Sequence, residues 1–111
     1  MRKLAELEKY IMLTILNLGS KKAYGIQIRE ELSIKTEKHV SVGAVYTTLS
    51  RLKNKGYAEA AKAAPTPERG GKSKEYYKLT STGKEALKNS LDTHNRFLTP
   101  MVECKLALAG E

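Results

Sequence analysis

Tryptophan is absent from this chain of 111 residues, and phenylalanine (Phe97) and cysteine (Cys104) occur once each. A lone cysteine excludes an intramolecular disulfide and any multi-cysteine zinc site, and it fits a reducing cytoplasm. An aromatic sandwich around a planar ligand has no support in such a composition. The strongest apolar run, Tyr10 to Leu16, falls far short of the roughly 20 residues that a membrane-spanning helix needs. Charged and apolar residues alternate from Met1 to Tyr10, unlike a signal peptide. The two histidines, His39 and His94, stand far apart, and no phosphate-cradling glycine motif is present. No nucleophile-base pair or metal constellation can be assembled from these residues, so no enzyme, cofactor or metal is expected. A soluble, cytoplasmic protein that avoids membranes is the expectation.

A further absence is local. No acidic residue occurs between His39 and Ala58, in a chain whose 20 Lys and Arg already outnumber 12 Asp and Glu for a net charge of +8. The imbalance favours an anionic partner. Nucleic acid precedes membrane here because the basic residues gather mid-chain and not on one amphipathic helix. The length suits one domain with a modest core.

The acid-free stretch holds the most structured pattern in the chain. Val42, Val45, Tyr46, Leu49 and Leu52 recur at three- and four-residue steps, which places them on one helical stripe. The other stripe carries Ser41, Ala44, Thr47, Thr48, Arg51 and Lys55. Small residues let a helix backbone approach base edges, hydroxyls bond bases or phosphates, and Arg51 and Lys55 meet phosphate charge. Ser41 supplies an N-cap and Gly56 a C-terminal stop. Alone, such a run reads as an ordinary core helix with a solvated basic face, so its neighbours decide.

Those neighbours follow in order. Leu4 to Leu18 steps helically and closes at Gly19-Ser20, with Met12, Leu13 and Leu16 making it apolar on more than one side. Ile26 to Ser33 forms a second, shorter helix, with Gly25 permitting close packing near its start. Lys35 to His39 is a polar connector. Tyr57 to Lys62 is short enough for a strand, although its alanines leave helix in competition. Pro65, Pro67, Gly70 and Gly71 break regular structure, and Glu75 to Leu79 has strand alternation with Tyr77 and Leu79 on one face. The two strands make a hairpin with a cationic tip, Arg69 to Lys74. Thr80, or Thr82 with Glu85, begins a last helix. Leu87, Leu91, His94, Leu98 and Met101 then follow the spacing of a helix-pairing seam, continued by Val102. Thr99-Pro100 either kinks this helix or ends it.

Three helices, a hairpin with a basic tip and a pairing helix are the order of a winged helix-turn-helix module: a mainly α (α+β) fold. The chain resembles the PadR family of transcriptional regulators from about Leu7 to Leu91. The resemblance is carried by Ser41-Val-Gly-Ala-Val-Tyr46-Thr-Thr-Leu49-Ser-Arg-Leu52 with Gly56-Tyr57, by Lys74-Glu-Tyr-Tyr77-Lys-Leu79-Thr80 with Gly83, and by Tyr24-Gly25-Ile26. It departs from the family pattern at Thr47, often proline there, at Glu75, commonly basic, and at Tyr24 and Ile26.

The resemblance implies a winged helix-turn-helix DNA-binding domain over residues 1–80 and a C-terminal dimerisation helix over 81–111. It implies a homodimeric repressor of a palindromic operator in double-stranded DNA, with half-sites roughly 34 Å apart. Carried over by position, Ser41, Gly43, Ala44, Thr47 and Thr48 face base edges, Arg51 and Lys55 the phosphates, and Arg69, Lys72 and Lys74 make the wing contacts. Tyr46 keeps its ring in the core and either lends its hydroxyl to a phosphate or stays wholly in the core. The dimer interface falls on Leu4, Leu87, Leu91, His94, Leu98, Met101 and Val102. Relatives commonly respond to small aromatic or drug-like ligands, so a small-molecule effector is an expectation too. Tyr10, Met12 and Phe97 would line such an interfacial pocket, against the alternative of a plain packed interface. The rival reading is a winged-helix module that binds protein or RNA without reading an operator.

Overall fold

A computed structural model describes residues 4–19, 23–62 and 75–109. Its elements are α1 (Glu6–Leu18), α2 (Gly25–Thr36), α3 (Val42–Asn54), β1 (Ala58–Lys62), β2 (Glu75–Leu79), α4 (Ser81–Phe97) and α5 (Pro100–Ala109). The winged-helix order expected from the sequence is present. The hairpin tip at Arg69, Lys72 and Lys74 lies outside the described residues.

The core forms where the apolar faces of α1, α2 and α3 converge. Ile11, Met12 and Ile15 of α1 meet Ile28 and Leu32 of α2 and Val45, Leu49 and Leu52 of α3, with Tyr77, Leu79 and Leu87 closing the cluster. Burial of such side chains stabilises by roughly 1.5–3 kcal/mol each. Met12 is therefore a core residue of this chain, which rules out its place in an interfacial pocket, one of the two readings the sequence left open.

Local chemistry sets the boundaries. α1 starts at Glu6, two residues later than its apolar pattern suggests, because Glu8 reaches back to accept from the Ala5 N–H at 2.8 Å. α2 runs to Thr36, a turn beyond the predicted Ser33, with the Thr36 hydroxyl donating to the Leu32 carbonyl at 2.7 Å. Glu37 ends it in the left-handed region at φ 57°. No glycine marks that stop, which is why the pattern missed it.

The turn between α2 and α3 is held by side chains of α2. The Val40 carbonyl accepts from Arg29 Nε at 2.9 Å, and the Val40 N–H donates to Ser33 Oγ at 3.3 Å. Both backbone groups of one turn residue are thus satisfied, which fixes how α3 leaves α2. Ser41 then caps α3 by accepting from the Ala44 N–H at 3.1 Å. At the far end Tyr57 N–H bonds Leu52 O at 2.9 Å and Gly56 N–H bonds Lys53 O at 3.0 Å, with Gly56 at φ 78°. This is a Schellman stop of the kind glycine favours.

β1 and β2 pair antiparallel, with Ala58 opposite Leu79 and Ala60 opposite Tyr77. The alanine-rich segment is therefore a strand. Pairing to β2 supplies the partner that its weak β-propensity lacks. Residues before α2 extend this pairing: the Tyr77 N–H donates to the Ala23 carbonyl at 2.9 Å, and Tyr24 bridges Tyr76 with ring centroids 4.5 Å apart.

Thr80 ties α3, the sheet and α4 together. Its hydroxyl donates to the Gly56 carbonyl at 2.6 Å and accepts from the Gly83 N–H at 3.0 Å. This makes Thr80 the cap, in preference to Thr82 with Glu85. Gly83 faces the Tyr57 carbonyl so closely that a Cβ there would overlap it. The core consequently crosses residue 80 and includes Leu87.

Beyond Leu91 the chain leaves the core. α4 stops at Phe97, and the Thr99 hydroxyl accepts from the Val102 N–H at 3.1 Å as α5 begins at Pro100. Pro100 begins a new helix and does not merely kink the old one. The expected seam is consequently interrupted: Leu87 is buried in the core and Leu91 packs against it, whereas Met101 lies on a different helix. Phe97, Leu98, Met101, Leu106 and Leu108 are exposed. The described residues contain no helix long and apolar enough to cross a membrane.

Candidate nucleic-acid interface

Each residue of an α-helix advances about 100° around its axis, so the buried positions define the opposite face. In α3 the buried positions are Val45, Thr48, Leu49 and Leu52. The outward arc accordingly holds Val42, Gly43, Tyr46, Thr47, Ser50, Arg51, Lys53 and Asn54, all exposed. Gly43 and Ser50, seven residues apart, mark its middle.

This arc is rotated relative to the polar stripe expected from the sequence. Gly43, Thr47 and Arg51 lie on it, with open space around the position a Gly43 Cβ would take. Ser41 is exposed at the cap and Ala44 is half-buried at the edge. Thr48 is corrected: it is buried, and its hydroxyl donates to the Ala44 carbonyl at 2.8 Å, so it does not face bases. A threonine hydroxyl bonded back to its own helix can be buried without an unsatisfied donor, which residue type alone does not reveal.

Lys55 is corrected as well. Its ammonium pairs with Glu8 Oε2 at 2.6 Å, and the two side chains are only 18% and 4% exposed. Burial pushes the Glu8 carboxyl up, but the bond from Lys55, the Ala5 N–H and the charges of Lys55 and Arg51 outweigh it and leave the group below its ordinary value. Glu8 is therefore a carboxylate that ties α1 to the end of α3. Lys55 is occupied by it and is not a free phosphate ligand.

Tyr46 sits at the edge of the arc, 41% exposed and not wholly in the core. Its ring lies on Gly25, where any Cβ would run into the ring atoms. Glycine at this position lets α2 support the tyrosine from behind. The nearby Tyr77 hydroxyl donates to Glu75 at 3.0 Å, and burial first, then that bond, raises its pKa well above the usual tyrosine value.

Val42, Ser50, Lys53 and Asn54 were missed by sequence reasoning. Val42 had been placed on the apolar stripe, yet it is 47% exposed. The available signal was the step of seven from Gly43 to Ser50, taken against a core face centred on Val45, Leu49 and Leu52.

Among the residues expected at a dimer interface, Leu4 and Leu91 pack partly against the chain's own core and Leu87 lies within it. Leu87 is thus corrected to a core residue. His94, Leu98 and Met101 are exposed and Val102 is half-buried. An open groove of about 960 Å³ runs between α1, the end of α2 and the start of α3, with Leu7, Tyr10, Leu13 and Val40 among its apolar walls and Lys35, Lys38 and His39 at its side. Among the described residues no group of three or more His, Cys, Asp or Glu is placed to hold a metal ion.

Comparison with known proteins agrees with the winged-helix fold. The family model described as the transcriptional regulator PadR-like family matches residues 12–89. The chain is similar to a solved PadR-like transcription factor from Bacteroides fragilis, with 28% identity, 81% of each chain covered and a TM-score of 0.66. It is also similar to the H. salinarum protein RosR, with 28% identity, 98% of this chain and 96% of that one covered, and a TM-score of 0.64. A PadR-like transcriptional regulator from Bacillus cereus shares the fold, at 24% identity with 95% and 91% covered and a TM-score of 0.67. No curated protein matches the sequence.

Proposed function

Because this chain belongs to the PadR-like family of transcriptional regulators, we propose that it represses transcription by binding a palindromic operator as a homodimer and is released by a small-molecule effector. The observation that carries the reading is the outward arc of α3, which is exposed, rich in small, polar and cationic residues, free of acidic side chains and anchored at both ends. In such modules the recognition helix enters the major groove and two-fold symmetry matches the operator.

Residues 1–80 supply the DNA-reading surface, and 81–111 supply dimerisation through the exposed apolar side chains of Phe97, Leu98, Met101, Leu106 and Leu108. Isolated helices as short as α5 are marginal in water, so a partner surface for these residues supports the dimer. The groove between α1 and the start of α3 offers the effector apolar walls with cations beside them.

The test is a titration by fluorescence anisotropy of a palindromic promoter duplex against random duplex at fixed salt, with light scattering for mass. Preference for the palindrome, steep weakening with salt and a dimeric mass support the reading. Equal affinity for both duplexes would leave the chain as a winged-helix module for other partners.

A further inference from the structure

We propose that Val42 determines part of the operator sequence by contacting the 5-methyl group of a thymine in the major groove; this rests on the operator-binding function proposed above. Recognition helices place their N-terminal residues at base edges. Val42 is the first residue of α3, 47% exposed, and it is not among the apolar residues packed against the core. It is the one aliphatic side chain on the outward arc.

An aliphatic group has neither donor nor acceptor, so it discriminates only by meeting another apolar group. In the major groove of unmodified DNA that group is the thymine methyl; every other feature there is a hydrogen-bonding edge or a ring. Valine suits the task because its branched carbon leaves one strongly preferred rotamer in a helix, so little freedom is lost on contact. Gly43 beside it leaves open space where a side chain would stand, so the backbone can come close enough for two methyl groups to touch. The pairing of an exposed aliphatic residue with an unobstructed approach distinguishes this end of α3 from its C-terminal end, where Arg51, Lys53 and Asn54 are exposed.

The test begins with selection of binding sites from a randomised duplex pool by the full chain. Each thymine of the selected half-site is then replaced in turn by deoxyuridine, which differs only in lacking the methyl. One position is expected to lose affinity by about fourfold per half-site, or about fifteenfold when both are substituted, the value of one buried methyl-sized group. Val42→Ala, with circular dichroism unchanged, binds the thymine and deoxyuridine duplexes equally. Val42→Thr, which keeps the branch and one methyl, retains part of the discrimination. Indifference to deoxyuridine at every position, or full discrimination kept by Val42→Ala, overturns the assignment while leaving operator binding intact. Enrichment of no sequence at all overturns operator binding itself, and this inference with it.

Discussion

α3 and α5 are both short helices that expose apolar side chains, yet they stand in opposite relations to the rest of the chain. In α3 the apolar residues Val45, Leu49 and Leu52 are buried by α1 and α2, and the outward arc retains Val42 and the exposed Tyr46 among small, polar and cationic neighbours. In α5 Met101, Leu106 and Leu108 are exposed, and among its described side chains none belongs to the core. A helix whose apolar face is satisfied within the chain is rigidly placed and can present its other face to a ligand. One whose apolar residues find no core is, in the homodimer proposed above, the part that association orders.

The contrast is broken most severely at its boundary. Leu87→Ala should cost about 2–5 kcal/mol of unfolding free energy, because Leu87 belongs to the core. Met101→Ala should change monomer stability by no more than about 0.5 kcal/mol while weakening self-association. Urea unfolding and sedimentation equilibrium separate the two effects, and equal destabilisation by both substitutions would contradict the division.

Next in size is the tie between α1 and α3. Glu8→Gln leaves the Lys55 ammonium part-buried beside an amide and should cost about 3 kcal/mol. Because the Glu8 carboxyl lies below its ordinary value of 4.5 in the folded chain, its contribution is present above that pH and is lost as pH falls through the lowered value. Urea midpoints of the wild type should therefore fall faster than those of Glu8→Gln as the solution is acidified below that value. Parallel curves would show that the pair carries no such linkage.

Arg51→Ala has a smaller effect, mainly on the ligand. It is exposed on the arc, so its loss should reduce the slope of log affinity against log salt by about 0.9 and shift urea unfolding only slightly, through the smallest of the charges acting on Glu8. Lys55→Ala should reverse that pattern, destabilising the fold without the same loss of salt dependence. The smallest expected change is at the turn. Glu37 holds φ 57° without being glycine, and Glu37→Gly should raise stability by about 0.5–1 kcal/mol by relieving that conformation. No gain in melting temperature would indicate that the backbone is unstrained there.

Much of this architecture was legible because it depends on local rules. Ser41 and Gly56 bound α3 as their cap chemistry requires, and the stripe of Val45, Leu49 and Leu52 located its buried side. β2 was legible from the alternation at Tyr77 and Leu79, and the start of α4 from its two candidate caps, between which the Thr80 hydroxyl decides. The site was less legible. Thr48 and Lys55 have polar side chains that suggest a ligand, but one is satisfied by its own helix and the other by Glu8, which lies far away in sequence. The seam through Leu87 and Met101 followed a helical period, and Thr99-Pro100 divided it between two helices.

By itself the sequence determined the order of elements, the ends of the recognition helix and the excess of positive charge, since caps, periodicity and composition act over a few residues or need no geometry at all. Only the tertiary structure decided that Val42 and Tyr46 turn outward while Thr48 turns in, that Lys55 is occupied, that Leu87 belongs to the core, and that Gly25 gives Tyr46 its seat. The reason is physical. The rotation of a helix about its axis is set by how neighbouring surfaces bury its apolar side chains, and in α3 those surfaces come from α1 and α2, elsewhere in the chain.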